Sequence, residues 1–507
     1  MADSASSTGG AAAPEHAIRV RSYCQGIGDC HLLSFPRAGQ ADFTILIDCG
    51  IHGSIANGGK IVANIAADLV KASGGHIDVL VVTHEHIDHT SGFHTANAVF
   101  RQIEFDQVWM AWTEDENDKQ AQNLDRYKGS ALAALTATSQ HLAGVAGDPY
   151  VEALKTGIDG LLGFHFGAQG DTSRTARNDA KALGKSVLYL DPAHGPLDIP
   201  AASPVRAYVL GPSRDESYLK ITDRASEMYG LAGLSAELWS AASPFAAGAM
   251  SPDASEFDGT TPFDADIGES FAAALDRIKA GTAKPDSLER FLSDHYCGPV
   301  RVGRSTSGPV DTDQSWRRID YDWASSGADL ALQLDSKTNN TSLVLAFEVA
   351  ESGRVFLFTA DAQIGNWLSW QTVSWQVDGK LVTGPDLLAR TVYLKVGHHG
   401  SQNATAEGKG LELMTSPDLT AFIPTNENDA LNVKWGAMPF SKIVERLTVM
   451  TRGRLVRADD PWPLTPKAQW PPAFRSPSGC LVDTTSETFP DPDTGAPRTL
   501  YVEFLLN

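Results

Sequence analysis

Cysteine is scarce in these 507 residues: five in all (Cys24, Cys30, Cys49, Cys297, Cys480), an odd number with no CxxC pair. That excludes a disulfide framework, a zinc ribbon and a redox dithiol, and reads as reduced core thiols in a cytoplasmic protein. Basic side chains are in deficit, 41 Lys and Arg against 62 Asp and Glu, for a formal charge of −21. A surface coated in positive charge for gripping nucleic acid is excluded, though a local basic groove is not. No unbroken apolar run approaches the roughly 18 residues of a membrane span. Residues 1–16 hold no Lys or Arg and lack the apolar stretch of a secretory leader, so they read as a disordered tail. What is present, 42% hydrophobic and 8% aromatic residues, is ordinary globular composition in a chain long enough to bury a large core.

Short apolar strands dominate the first third. Residues 17–23, 31–35 and 43–48 end at polar or turn-forming positions, and 61–72 has apolar residues at helical spacing before Gly74 and Gly75. Strands at 79–82, 108–112 and 205–210 alternate with a helix at about 120–143, an α/β rhythm. Residues 213–335 break it: helical stretches at 225–242, 270–280 and 288–294 are joined by Gly/Pro/Ser/Asp-rich connectors, as in an inserted, mostly helical cap. Strands return at 341–349 and 354–358, a hairpin closed by Glu351-Ser352-Gly353. A strand at 391–396, a helix at 440–450 and a strand at 454–457 follow. The expected division is a tail (1–16), a first half (17–212), the cap (213–335), a second half (336–460), and a Pro-rich segment with a terminal strand (461–507).

The chemistry-bearing feature is His84-x-His86-x-Asp88-His89, directly after the apolar strand Val79–Val82. Three imidazoles and a carboxylate in six residues put four metal-competent groups on one loop, and imidazole is largely neutral and ligating at pH 7. With 14 histidines in the whole chain, three within six residues is not a chance pattern. Three other apolar strands also run into metal-type residues: 44–47 into Asp48, 355–358 into Asp361, and 393–396 into His398 and His399. A carboxylate closing so apolar a run is poorly solvated unless a cation lies beside it. Lys442, Arg446, Arg452, Arg454 and Arg457 form a basic cluster, read either as a guide for a phosphate backbone or as a solvated helix face and strand.

Taken in order, six segments carry a resemblance. They are Gly26-Ile27-Gly28-Asp29-Cys30, Leu46-Ile47-Asp48-Cys49-Gly50, the 84–89 motif, Asn339-Asn340-Thr341-Ser342-Leu343-Val344-Leu345, Thr359-Ala360-Asp361 and Lys395-Val396-Gly397-His398-His399-Gly400-Ser401. Together they resemble the metallo-β-lactamase-fold hydrolases. The 395–401 segment, with the asparagine and serine before Leu343, is similar to the branch that contains the hydrolase domain of the competence protein ComEC and the phosphorylcholine esterases. The likeness covers about 17–112 and 339–457. It implies a four-layer αββα sandwich with two divalent metal ions at one edge, zinc by ligand type, with manganese or iron also suited. It implies His84 and His86 on the first ion, Asp88 and His89 on the second, Asp361 bridging, and His399 completing the second site. Asp48 would orient a ligand histidine. Asp88 and Asp361 would hold the nucleophile or steer its proton, and His398 would donate to the substrate. Asp29, Asn339, Ser342, Lys395 and Ser401 would stand behind the ligands or around the substrate. Two departures matter. The wider family's histidine in a Gly-His-x-x-Gly context is absent (His141, His165, His194 and His295 lack that context), leaving the first ion short of a ligand. Ala360 stands where the branch has glycine.

The implied reaction is hydrolysis, in which a hydroxide bridging the two metals attacks a phosphodiester in a nucleic acid, a nucleotide or a phospho-alcohol. The acidic net charge counts for a small phosphorylated substrate over a long nucleic acid. The same site could instead open a lactone, amide or ester. A third reading, supported only by the long cap, is a partner-binding effector subunit that uses the fold as scaffold. No membrane partner is expected.

Overall fold

The computed structural model describes residues 17–143, 149–165, 173–221, 334–432, 438–460 and 476–507, with isolated positions between 224 and 291. Apart from those positions, the expected cap helices lie outside the described residues, as do Cys297 and the Pro-rich run 461–475. The chain divides into two compact units. Met1–Asp125, Gly163–Ser235 and Asp335–Asn507 form one; Arg126–Leu162 and Ala236–Leu334 form the other.

The first unit is built on two sheets. The eight-stranded sheet runs β16 (Leu481–Pro490), β17 (Pro497–Leu506), β1 (Ile18–Tyr23), β2 (His31–Arg37), β3 (Gln40–Ile47), β4 (His76–Val82), β5 (Glu104–Ala111), β6 (Gly184–Leu190). The seven-stranded sheet runs β15 (Leu455–Arg457), β14 (Thr420–Ile423), β13 (Thr391–Lys395), β10 (Arg354–Phe358), β9 (Val344–Val349), β8 (Val205–Gly211), β7 (Leu197–Ile199). A separate hairpin joins β11 (Ser374–Val377) to β12 (Lys380–Thr383). Strands β3 to β6 are parallel in one sheet, and β10, β13, β14 and β15 in the other.

Buried strands explain the near-continuous apolar runs. In β9, Leu345, Phe347 and Val349 face the opposing sheet, while Val344 and Ala346 face the outer helices. The layer between the sheets takes Val20, Leu33, Ile45, Val79 and Val81 from one side and Val209, Phe356, Phe358, Tyr393 and Phe422 from the other. Outside the first sheet, the helix Gly58–Ser73 lays down Ile61, Val62, Ile65, Ala66 and Leu69 at helical spacing. Outside the second, Trp367, Trp370, Leu387, Leu388, Ile443 and Leu447 do the same. The order helix, sheet, sheet, helix is the expected α/β sandwich.

In the second unit, the helix Pro149–Leu162 carries Asp159, which accepts from Ser139 and Lys155. That helix, β6 and β16 escape a reading by pattern. Strands β6 and β16 are edge strands, and β16 (Leu-Val-Asp-Thr-Thr-Ser-Glu-Thr-Phe-Pro) is polar on most positions, so it carries little alternation to read. The four described cysteines are buried free thiols. Among the described residues no helix is long and apolar enough to cross a membrane.

Burial also sets how the interior responds to pH. Burial pushes His52 down to about 4, and His31 falls well below the ordinary imidazole range through burial, with Lys395 adding to it. Both rings fold neutral, whereas the unfolded chain protonates them as pH falls through about 6.5. The unfolded state binds more protons in that window, so each such ring costs stability as pH drops, by at most about 1.4 kcal/mol per pH unit. Between pH 6.5 and 4.5, His52→Gln should therefore lose stability less steeply than wild type when denaturation midpoints are compared. Parallel pH profiles would show that His52 is not buried neutral.

Candidate metal centre

Four strand ends meet at one edge of the sandwich: β3 leads to Asp48, β4 to His84, β10 to Asp361 and β13 to His398 and His399. The backbone there is forced. Seven described residues other than glycine have positive φ, and four are at this edge: Asp48 (55°), Ala360 (47°), His398 (40°) and His399 (56°). Position 360 thus has the conformation that glycine adopts freely, and alanine bears the strain.

Glycine is required where the loops stack. A Cβ on Gly50 would lie 2.3 Å from the carbonyl carbon of Asp88 and 2.4 Å from His89 N. One on Gly28, at φ 139°, would lie 2.4 Å from Gly50 O and 2.6 Å from Asp88 O. Backbone hydrogen bonds lock the same layers: Asp29 N donates to Asp88 O (3.1 Å), Cys49 N to His89 O (3.0 Å) and Gly50 N to Asp29 O (3.1 Å). The Gly26–Cys30 and Leu46–Gly50 segments therefore press the 84–89 loop into place.

On this base Asp88, His89, Asp361 and His399 converge, each offering an atom within 4.8 Å of the others, all fully buried. His399 Nε2 is 2.8 Å from Asp88 Oδ2 and 3.6 Å from Asp361 Oδ2; His89 Nε2 is 3.1 Å from Asp361 Oδ2. His89 Nδ1 is 2.8 Å from Asp48 Oδ2, which also accepts from Thr83 Oγ1 at 2.6 Å. Beside them His84 Nε2 and His86 Nδ1 are 3.1 Å apart. Lys395 pairs with Asp29, donates to Ala360 O at 2.9 Å, and sits 3.6 Å from Asp361 Oδ1. His398 N donates to Asp361 Oδ1 (3.0 Å), while its ring meets Ser401 Oγ (2.8 Å), Asn339 Nδ2 (3.2 Å) and Gln363 Nε2 (3.4 Å).

Charge in this site is out of water and must be balanced locally. Burial disfavours ionised Asp361, yet His89 and His399 hold its carboxyl well below the carboxylate range; His89 and His399 likewise outweigh burial at Asp88. In return Asp361, Asp29, Asp48 and Asp88 raise His89 against burial, and Asp361 and Asp88 raise His399. Burial drives His84 and His86 far down, as neutral donors, and takes His398 to about 4. Asp88 Oδ1, Asp361 Oδ2, His86 Nε2 and His89 Nε2 are buried without a hydrogen-bond partner. Nitrogen and carboxylate donors, with atoms left unmatched and protons supplying the missing positive charge, fit divalent cations.

The ligand-type residues named from sequence, and those expected around them, lie near one another at this edge. Ser342 Oγ lies 3.3 Å from His84 Nδ1, and Asp29 Oδ2 lies 3.8 Å from His89 Nδ1. Two residues were not foreseen: Gln363 touches the His398 ring, and Asp335 Oδ1 lies 3.8 Å from His86 Nε2. His165, set aside in sequence for want of the Gly-His-x-x-Gly context, has its ring 4.9 Å from that of His86. Asp335 sits four residues before Asn339 in the helical stretch 334–339, a spacing that puts both on one helix face and was the available signal. A second group of possible ligands, His76, Asp78 and Asp106, is only partly buried. Asp78 there serves Thr44 and Arg37, and Asp106 serves Lys185.

His84→Ala, Asp88→Ala and Asp361→Ala should each lower bound metal, by elemental analysis, while circular dichroism stays native, because the donors hang on a preformed sandwich. Gly50→Ala removes no donor but must displace the 84–89 loop, so metal affinity should fall in calorimetric titration. Metal uptake displaces the protons on His89 and His399, so binding should release protons and weaken as pH drops. Uptake without proton release would contradict the charge balance described above.

Residues 28–101 match the family model described as the metallo-beta-lactamase superfamily. No curated protein matches the chain. The match spans β2 to the residues just before β5, including Asp29, Asp48 and the whole 84–89 loop. With the α/β sandwich and the buried His/Asp cluster, it identifies a metallo-β-lactamase superfamily hydrolase fold whose cluster can hold metal.

Proposed function

We propose that the chain is a metal-dependent hydrolase of the competence-type branch that cleaves a phosphodiester in a small molecule, a nucleotide or phospho-alcohol. The observation that carries the hydrolase reading is the convergence of Asp88, His89, Asp361 and His399, buried and within 4.8 Å of one another. Divalent cations there, zinc by donor type, supply Lewis acidity that polarises a substrate oxygen and lowers the pKa of water. His84 and His86 would hold one ion and His89, Asp88 and His399 the other, with Asp361 available to both.

The remaining work falls to side chains of the chain itself. Asp88 and Asp361, held as carboxylates, accept the proton of the attacking water. His398, neutral and braced by Ser401, Asn339 and Gln363, would donate to an oxygen that gains charge by exchanging one of these contacts for the substrate. Lys395 is committed to Asp29 and neighbours Asp361, so its role is to fix the 361 carboxylate rather than to bind substrate.

A long nucleic acid is disfavoured. The net charge is −21. The basic cluster foreseen at 442–457 is also largely spent inside the fold. Arg446 pairs with Glu412, Arg457 with Glu427 and Asp459, and Arg454 is buried against the carbonyls of Leu419 and Pro417. Three of the five charges are committed, which undoes the phosphate-guide reading of that cluster.

Metal-loaded protein should turn over bis-p-nitrophenyl phosphate, and not single-stranded DNA or RNA, a lactone or a chromogenic β-lactam. Turnover of the carbonyl substrates alone would replace the phosphodiester by an ester or amide. No turnover, together with a stoichiometric protein complex that survives His86→Ala and Asp361→Ala, would favour a scaffold over an enzyme. Chelation should abolish the activity and leave the fold intact.

A further inference from the structure

Each histidine of the 84–89 loop has two ring nitrogens, and what the outer one meets decides which one faces inward. His84 Nδ1 lies 3.2 Å from Thr83 Oγ1 and 3.3 Å from Ser342 Oγ, which leaves Nε2 as donor. His89 Nδ1 lies 2.8 Å from Asp48 Oδ2, which leaves Nε2 beside Asp361. His86 is turned the other way. Its Nδ1 is 3.1 Å from His84 Nε2. Two nitrogens on one tetrahedral zinc, with bonds of 2.0–2.1 Å, would stand about 3.3 Å apart, a spacing this pair could serve. His86 Nε2 points away from that pair and meets Asp335 Oδ1 at 3.8 Å.

Both atoms of that contact are buried and neither has a hydrogen-bond partner; Asp335 is 6% exposed and His86 fully enclosed. At 3.8 Å the contact is longer than a hydrogen bond and too short to admit a bridging water, and burial beside Asp88 and Asp361 pushes the Asp335 carboxyl well above the ordinary carboxylate range. Asp335 Oδ2 is held by Asn339 Nδ2 at 3.3 Å, and the same amide nitrogen lies 3.2 Å from His398 Nε2.

We propose that Asp335 is a positioning residue: its Oδ1, the one group facing His86 Nε2 across a dry gap, closes on that N–H and so fixes the tautomer whose Nδ1 lone pair turns inward beside His84. Asn339 ties that carboxylate to His398, so the helical residues 334–339 couple a ligand of one ion to the side chain facing the substrate. This rests on the metal-centre reading above. It gives His86 the counterpart of what Asp48 does for His89.

The test is a titration of metal-free protein with cobalt(II), followed by visible absorption and calorimetry, for wild type, Asp335→Ala and Asp335→Glu. Wild type should take two ions. Asp335→Ala should also take two, one of them about 10- to 100-fold more weakly, with the visible band unchanged in shape because no donor is lost. Asp335→Glu should recover most of the affinity. Unchanged affinities in Asp335→Ala would overturn the proposal; so would loss of one ion with an altered band, which would make Asp335 a ligand. Wild type that takes up no cobalt would overturn the metal-centre reading itself, a different failure. Should Asp335→Ala not fold, the 15N spectrum of zinc-loaded wild type decides. His86 must carry its proton on Nε2, and a proton on Nδ1 overturns the assignment.

Discussion

Four aspartates, Asp29, Asp48, Asp88 and Asp361, are shut away from water at one edge of the sandwich, and that concentration of negative charge governs the rest of the site. Carboxylates in so poor a solvent survive only beside positive charge and hydrogen-bond donors. Lys395 answers Asp29, Thr83 and His89 answer Asp48, and protonated His89 and His399 answer Asp361 and Asp88. A divalent cation could serve the same balance, because it can be shared by several donors while a proton serves only two.

Such a cluster needs a frame that does not yield. The 84–89 loop is pinned from below by Gly28 and Gly50, where even one methyl group would collide with its backbone, and from the side by strand ends in left-handed conformations. The strained residues are Asp48, Ala360, His398 and His399, and each bears a site group or adjoins one. Strain of this kind persists only where surrounding packing over-determines it. That packing is the layer of Phe356, Phe358, Tyr393 and Phe422 directly behind β10, β13 and β14. The apolar interior and the polar edge are thus one construction, since the first supplies the rigidity that the second consumes.

How much of this was legible in the sequence follows from where the information is local. His84 to His89, Asp48, Asp361 and His399 announce themselves because each follows an apolar strand, and a polar ligand-type residue at such a point has few other uses. The strands β3, β4, β9, β10 and β13 were readable for the same reason. Asp335 and His165 were not, because neither follows a strand and each reaches the site only through the tertiary path of the chain. The basic cluster at 442–457, open in sequence to two readings, shows the opposite case. Five positive charges are visible in sequence, but their partners Glu412, Glu427 and Asp459 are set by folding alone. Polar edge strands such as β16 lack the alternation that pattern reading needs.

Ala360 shows how a single backbone position serves the centre. At φ 47° an alanine carries strain that a glycine would not. Its carbonyl accepts from Lys395 at 2.9 Å and from His398 N at 3.2 Å. Those two bonds hold the carbonyl between the cation that steadies Asp361 and the backbone that places His399. A residue there must therefore accept both donors in a left-handed turn, and the side chain is a secondary matter. Glycine meets the demand more cheaply in the chain's backbone, but alanine restricts the unfolded chain and resists other conformations of the loop. Alanine thus trades local strain for a narrower range of positions for Asp361, which converges with Asp88, His89 and His399.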